Sequence, residues 1–332
     1  MKRLIAEFEE QSFTQIIFPH QNTDWCEYLD EAQTTFVNII NAIRKHQKCL
    51  VVCYDIGEVQ KHFNDYENLC FIEYVCDDTW ARDCSALSVQ NGTHTELLDF
   101  TFTAWGGKFE AGRDNQMSQA IANHYAVPMV KCDFILEGGG VESNGEGLIL
   151  TTSECILNSN RNATLTPQEV NEKLKEYFGA KEILTLHNGY LSGDDTDSHI
   201  DTLARFISKE SIMYVKCEDK EDEHYMALHL MEEELQAFAR THSFKLVALP
   251  MADALYYSQE RLPATYANFL FVNGAVIVPT YGGSQDEKAL SIFRETFKEL
   301  EVVGVDCSVL VRQHGSLHCV TMNFARDVGL IC

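Results

Sequence analysis

The sequence predicts a mixed α/β fold in which one strand–strand–helix–strand unit (ββαβ) recurs five times and closes into a ring. Three observations carry this reading. Hairpin signals alternate with amphipathic helical stretches along the whole chain, and each helix is followed by a further short apolar run. The last strand candidate, LHCVTMNFA, can pair with TQIIFP near the N-terminus, so one unit draws on both ends of the chain. A last unit shared between chain ends is a common closure device in propellers.

In chain order, TQIIFP is followed by the helical stretch EAQTTFVNIINAIRKHQ and the strand CLVVCY. RDCSALSVQ-NG-THTELLDFTF reads as a hairpin, because Asn-Gly readily takes the left-handed dihedrals of a two-residue turn. Helix DNQMSQAIANHYA and strand MVKCDFI complete that unit. Residues 136–152 form the next hairpin, around Asn144-Gly145. Its helix has Thr166 as N-cap, Pro167 in the first turn, Glu169 closing a capping box and Gly179 as the stop, before the strand KEILTL. HIDTLARFI and SIMYVKC are two strands turning at 208–210, followed by helix DEHYMALHLMEEELQAFART and strand FKLVALPM. The hairpin YANFLFV-NG-AVIVPTY, helix QDEKALSIFRETFKEL and strand EVVGVDC form the fifth unit. The units are roughly 50 to 65 residues long, and no linker or low-complexity tract separates them. A single domain over residues 1–332 is expected.

Composition narrows the function classes. With 45% hydrophobic and 23% charged residues the chain reads as an ordinary soluble protein. Fifty acidic against 26 basic side chains give a formal net charge of -24. Such a surface repels nucleic-acid phosphates and anionic membranes and concentrates small cations. Glu7, Glu9 and Glu10 interrupt the apolar stretch that a signal peptide needs, and no run approaches the ~20 apolar residues of a membrane span. A cytoplasmic location is therefore expected. The 12 cysteines show no CxxC pair, so most, including Cys49, Cys53, Cys70, Cys132 and Cys217, are expected to be small, reduced, buried hydrophobes.

The polar residues that stand out share one address, the start of the first strand of a unit. Asp83 (DDTWARD), Glu137 (LEGGG), His199 and Asp201 (DSHIDTLARF) and Cys319 (GSLHCVT) all fall there. Equivalent positions of a ring converge on its axis, so these side chains would meet in one central pocket. His199 and Asp201, two apart on a strand, would point to one face, and Asp201 could orient the imidazole. His, Cys and carboxylates are also capable zinc ligands, but their spacing matches no common metal motif. Three carboxylates around a cysteine oppose thiolate formation unless the missing cation is the substrate. A guanidinium, which accepts two-pronged pairing from carboxylates, fits that vacancy.

At these residues the sequence resembles the agmatine deiminase family of the pentein superfamily of guanidino-modifying enzymes. The resemblance runs through DDTWARD (77–83), AWGGK (104–108), LEGGG (136–140), GEGLILTTSECILNSNRN (145–162), DTDSHIDTLARF (195–206), PATYANFLFVNGAVIVP (263–279) and GSLHCVT (315–321). It implies a five-bladed, pseudo-symmetric α/β propeller around a central active site. It further implies Cys319 as nucleophile, His199 as general acid and base, and Glu137, Asp83 and Asp201 as the groups that hold the guanidinium and orient the histidine. Trp80 and Trp105 would pack on the substrate, and Asp195 is a candidate for its amine end. The reaction it implies is hydrolysis of agmatine to N-carbamoylputrescine and ammonia through an amidino-cysteine, with no metal or organic cofactor required. A homodimer is the assembly compatible with the resemblance. Alternatives are deimination of free or peptidyl arginine, amidino transfer to an amine, and a non-catalytic polyamine-binding protein. The chain departs from the family pattern in the loop Gln313–Ser316 before the cysteine, where the family is glycine-rich. It also has Ser198 where a glycine commonly precedes the histidine, and Cys84-Ser85-Ala86 after the WxRD motif.

Overall fold

Five of the six sheets among the described residues share one strand order. In each, a first strand pairs antiparallel with a second, and the second pairs parallel with a third. The strands are Leu87–Asn91, His94–Thr101 and Met129–Ile135; Glu142–Ser143, Leu148–Thr152 and Glu182–Leu186; and Ala204–Ser208, Ser211–Lys216 and Lys245–Pro250. The other two sets are Leu270–Val272, Ala275–Thr280 and Glu301–Asp306, and Thr321–Ala325, Gln11–Ile17 and Lys48–Cys53. The last set joins the two ends of the chain, as the sequence indicates. This computed structural model describes residues 2–332; Met1, the first residue of the expected 1–332 unit, lies outside them.

The order follows from local signals. Antiparallel pairs are joined by short turns, whereas a parallel pair needs a crossover, and each crossover here carries a helix. Between Leu148–Thr152 and Glu182–Leu186 the crossover helix is Pro167–Phe178, capped by the Thr166–Glu169 box. It ends at Gly179 with φ +59, where a Cβ would lie 2.0 Å from the Lys2 carbonyl oxygen, so only glycine fits. Val170, Leu174 and Phe178 form its buried stripe. Helices Leu29–Ile43, Asp114–Ala120, Tyr225–His242 and Asp286–Thr296 occupy the corresponding crossovers.

The structure adds elements the sequence reading does not place. Lys2–Leu4 pairs with Leu87–Asn91, Leu69–Glu73 extends the sheet that joins the chain ends, and Tyr256–Tyr257 pairs with Glu260–Arg261. These strands are short or lie at edges, where periodicity carries little signal. Cys70 also corrects an expectation. It is disulfide-bonded to Cys332, across 262 residues of sequence and a Cα–Cα distance of 5.6 Å. The apolar run around Cys70 suggests a buried thiol, but the fold lays the last residue against this edge strand. Cys49, Cys53, Cys132 and Cys217 are free and buried.

The address of the polar residues needs one adjustment. Asp83, Glu137, His199, Asp201 and Cys319 lie just before the first strands rather than on them, in tight turns. Asp83 is in the helical turn Ala81–Cys84, Glu137 precedes the 3-10 turn Gly138–Gly140, and His199 caps the 3-10 turn Ile200–Thr202 that contains Asp201. Cys319 lies two residues ahead of Thr321–Ala325, in a turn where the Val320 amide donates to the Ser316 carbonyl. The two-residue spacing of His199 and Asp201 is therefore not a strand pleat, and their convergence is a property of the tertiary fold.

Candidate active site

The five lead-in turns meet one another in a closed chain of contacts. The Gly139 amide donates to Asp83 Oδ1 at 2.9 Å, and the two His199 ring nitrogens lie 3.7 Å from Asp83 Oδ1 and 3.7 Å from Glu137 Oε2. Asn268 Nδ2 donates to the Asp201 carbonyl at 3.4 Å, and Asn268 Oδ1 accepts from the Cys319 amide at 3.3 Å. The Arg82 amide donates to the Cys319 carbonyl at 3.1 Å, which returns to the turn holding Asp83. Close approach requires small residues here: a Cβ on Gly139 would lie 2.6 Å from His199 Nδ1 and 2.9 Å from Asp83 Oδ1. All five candidate catalytic residues are thus brought together and buried.

Charge governs their states. Burial opposes an ionised Cys319, and Asp201 and Asp83 add to that opposition, so its thiol is pushed well above the usual cysteine range. Its Sγ lies 3.4 Å from Asn268 Oδ1 and 4.0 Å from Asp201 Oδ2. Burial also opposes charge on His199, but Asp83, the Cys155 sulfur and Glu137 outweigh it and hold the imidazole well above its ordinary value. Asp83 is raised by burial, in part offset by His199. Glu137 is lowered despite burial, through the His199 imidazole 3.7 Å away and its bond to the Arg161 guanidinium. Asp201 is lowered despite burial by the hydrogen bond and charge of His318. The resting arrangement is therefore a neutral thiol beside a protonated imidazole, with ionised Asp201 and Glu137. A bound cation would tip the thiol toward thiolate.

Beside Cys319 a cavity of about 350 Å³ opens. Trp80, Trp105, Phe102 and Phe109 form its aromatic walls. Its carboxylates are Asp24, Asp77, Asp78, Asp83, Glu110, Asp114 and Asp195, and no Lys or Arg is among the described residues that line it. Lys108 nearby is engaged with Asp197 Oδ1 at 2.8 Å and with the Asp195 carbonyl at 2.5 Å. Burial and the neighbouring Asp24 push Asp78 up to about 8, and burial pushes Asp114 to about 7 and Asp195 to about 6. Asp78 Oδ1 is buried without a hydrogen-bond partner among the described residues. Trp80 Nε1 donates to Asp78 Oδ2 at 2.7 Å and Trp105 Nε1 to Asp83 Oδ2 at 3.0 Å, so both indoles face the cavity from fixed positions.

Three residues of the site escape the sequence reading. Asn268 stands two residues before Leu270–Val272, the same address as the others, and extending the positional rule to YANFLFV would have found it. Arg161, fully buried, donates from Nε to Glu137 Oε2 at 2.7 Å and from Nη1 to Asp197 Oδ2 at 2.6 Å. His318 bonds Asp201. Neither had a signal beyond its motif. Among the described residues, two sets of donor atoms are close enough to share a metal, Glu137 with Cys155 and His199, and Glu7 with Glu142 and His318. Neither includes Cys319, and the second is already paired with the Arg205 and Arg82 guanidinium groups. The Arg161 guanidinium on Glu137 opposes a second cation there, so the residues present do not favour a resident metal.

The departures from the family pattern have local explanations. Ser198 takes φ +60, the left-handed region where glycine is unstrained, and is held by its amide donating to Asp194 Oδ2 at 2.6 Å. Gln313 donates to Tyr28 Oη at 2.7 Å, His314 Nδ1 lies 2.7 Å from the Gly193 carbonyl oxygen, and the Ser316 hydroxyl bonds the Tyr281 hydroxyl at 2.9 Å. Side-chain bonds thus fix the loop before Cys319. Ser85 Oγ accepts from Gln15 at 2.9 Å.

Comparison with known proteins places this geometry among relatives. Residues 3–324 match the family described as Porphyromonas-type peptidyl-arginine deiminase. Agmatine deiminase of Pseudomonas aeruginosa (strain LESB58) is 31% identical over 353 residues, covering 96% of this chain and 94% of that one. A substrate-bound cysteine-to-serine variant of C. jejuni agmatine deiminase superposes with a TM-score of 0.95 at 41% identity, covering 100% and 98% of the two chains. A Porphyromonas gingivalis protein with the provisional name arginine deiminase superposes with a TM-score of 0.95 at 43% identity, covering 99% of each. The fold is mixed α/β and matches these deiminase structures. No described helix is long and apolar enough to cross a membrane.

Proposed function

Because the chain belongs to the Porphyromonas-type peptidyl-arginine deiminase family, we propose that it is an agmatine deiminase, a hydrolase that converts agmatine to N-carbamoylputrescine and ammonia. The observation that carries the substrate is the cavity beside Cys319, lined by seven carboxylates and no fixed cation among the described residues. Agmatine is a dication, with a guanidinium at one end and an ammonium at the other. Free arginine carries a carboxylate that this cavity would repel. The five lead-in turns are read as the centre of a five-bladed propeller, formed by a single domain over 1–332.

In the proposed reaction the guanidinium lies between Asp83 and Asp201, and its charge favours the Cys319 thiolate. The thiolate attacks the guanidinium carbon, and His199 gives its proton to the leaving nitrogen, which departs as ammonia. Water attacks the resulting amidino-cysteine, and neutral His199 takes one of its protons. Collapse breaks the carbon–sulfur bond, returns the thiolate and releases the ureido product, and the second water proton leaves with ammonia as ammonium. Glu137, anchored by Arg161, holds the imidazole. Covalent catalysis is thereby joined to general acid–base catalysis, itself worth ~10²–10⁴-fold. Trp80 and Trp105 flank the aliphatic chain, and Asp195 and Asp78 face the amine end.

The test is turnover of agmatine and, separately, arginine, assayed for ammonia and ureido product alongside Cys319→Ser. Product from agmatine alone, abolished by the substitution, is expected. Product mainly from arginine would keep the chemistry and overturn the substrate.

A further inference from the structure

His318 and Cys319 are neighbours in sequence that serve different cavities. Cys319 lines the cavity described above, whereas His318 lines a separate cavity of about 60 Å³ with Glu7, Arg82 and Glu142. Between them lies Asp201. His318 Nδ1 is 2.7 Å from Asp201 Oδ2, and His318 Nε2 is 2.5 Å from Glu7 Oε2. Both ring nitrogens thus face carboxylate oxygens, an arrangement satisfied when each carries a hydrogen. Glu7 is itself pinned: Arg205 Nη2 lies 2.9 Å and Arg82 Nη2 3.3 Å from its Oε2, and its Oε1 accepts from the Phe271 amide at 3.1 Å. Arg205 stacks on Phe269 at 4.7 Å and pairs with Glu142, so no member of the chain is free to rotate away.

The consequence falls on Asp201. One of its oxygens is occupied by His318, and the other, Oδ1, is buried and has no hydrogen-bond partner among the described residues. We propose that His318, clamped by Glu7, is a positioning residue for the deiminase reaction: by bonding Asp201 Oδ2, which lies 4.0 Å from Cys319 Sγ, it holds this carboxylate in the orientation that accepts from the substrate guanidinium. A contact outside the substrate cavity, contributed by residue 7, would then set the geometry of a carboxylate beside the nucleophile. Positioning of this kind matters because misplacement by ~1 Å can lower a rate ~10²-fold.

The proposal rests on the deiminase reading, and two substitutions separate its parts. In His318→Asn the side-chain amide nitrogen falls near the position of Nδ1 and can still donate to Asp201. In His318→Gln it falls near Nε2, so the Glu7 contact survives and the Asp201 contact does not. Both remove the ring. We expect kcat/KM for the Asn variant to exceed that of the Gln variant by at least tenfold, with His318→Leu as low as Gln and with its acidic limb moved to higher pH. The limb should move because His318 is what lowers Asp201 against burial. Glu7→Gln should lie between wild type and the Gln variant. A second readout does not need turnover: methylguanidine at millimolar concentration should accelerate iodoacetamide alkylation of Cys319 in wild type and His318→Asn, but not in His318→Gln. Equal behaviour of the Asn and Gln variants in both readouts overturns the proposal. A wild type that turns over neither agmatine nor arginine overturns the deiminase reading instead, while the alkylation comparison still judges His318.

Discussion

Gly315 is the position at which one methyl group should test the geometry of the nucleophile loop. A Cβ built there lies 2.1 Å from Trp80 Cζ3 and 2.6 Å from Cη2, against the 3.5–4.0 Å of an ordinary carbon contact. Trp80 cannot retreat easily. It is 5% exposed, it packs on Trp25 and Trp105 with ring centroids 5.8 and 6.2 Å away, and its Nε1 bonds Asp78 at 2.7 Å. The loop must therefore move by about 1 Å or more, and Cys319 is four residues on. Overpacking of this kind costs ~1–3 kcal/mol. With an unfolding entropy of about 2.1 cal/mol/K per residue over 332 residues, that corresponds to a Tm lower by about 1.5–4 °C. The larger effect should be on the rate, where a displacement of ~1 Å at the nucleophile costs ~10²-fold. Gly315→Ala is thus expected to lose roughly 10²-fold in kcat with only a modest fall in Tm, measured by ammonia release and thermal unfolding. In a Trp80→Leu background, itself less stable, the same Gly315→Ala change should cost less Tm, because the collision partner is gone. A Gly315→Ala enzyme with wild-type kcat and Tm would refute the close packing of this loop on Trp80.

Three further outcomes follow from other parts of the site. Asp195 and Asp78, raised to about 6 and about 8, are neutral below these values, so the cavity gains negative charge as pH rises and KM for agmatine should fall between pH 6 and 8. Asp78→Asn should flatten the upper part of that profile, and an unchanged KM–pH curve would refute the role of Asp78. The stability sign is opposite. Folded Asp78 retains a proton that the unfolded chain loses near pH 4, so stability falls as pH rises from about 4 to about 8, and Asp78→Asn should be the more stable protein above pH 8. Separately, Ser198→Gly should relieve the strain of φ +60, gaining up to ~1 kcal/mol after the entropy of glycine is deducted. The urea midpoint measures this, and a lower midpoint would show that the side chain matters more than the backbone.

The sequence alone determined the element order, because Asn-Gly turns, the Thr166–Glu169 capping box and the spacing of apolar residues act within a few positions. It also singled out the motifs proposed to carry the chemistry, since DDTWARD, LEGGG, DSHID and GSLHC are local patterns. The side chains it selected do meet, around Asp83, Glu137, His199, Asp201 and Cys319. Tertiary structure decided what depends on contacts between distant segments. His199 and Asp201 converge through a 3-10 turn, not a strand face, where the lead-in turns pack closely on one another. The same packing explains why Gly139 must be glycine. Arg161 on Glu137, Glu7 on His318 and Cys70 on Cys332 are separated by 24, 311 and 262 residues, and no local pattern pairs them. Charge states belong to this second level as well: the raised thiol of Cys319 and the raised carboxyl of Asp78 come from burial beside other acids, which exists only once the chain has folded.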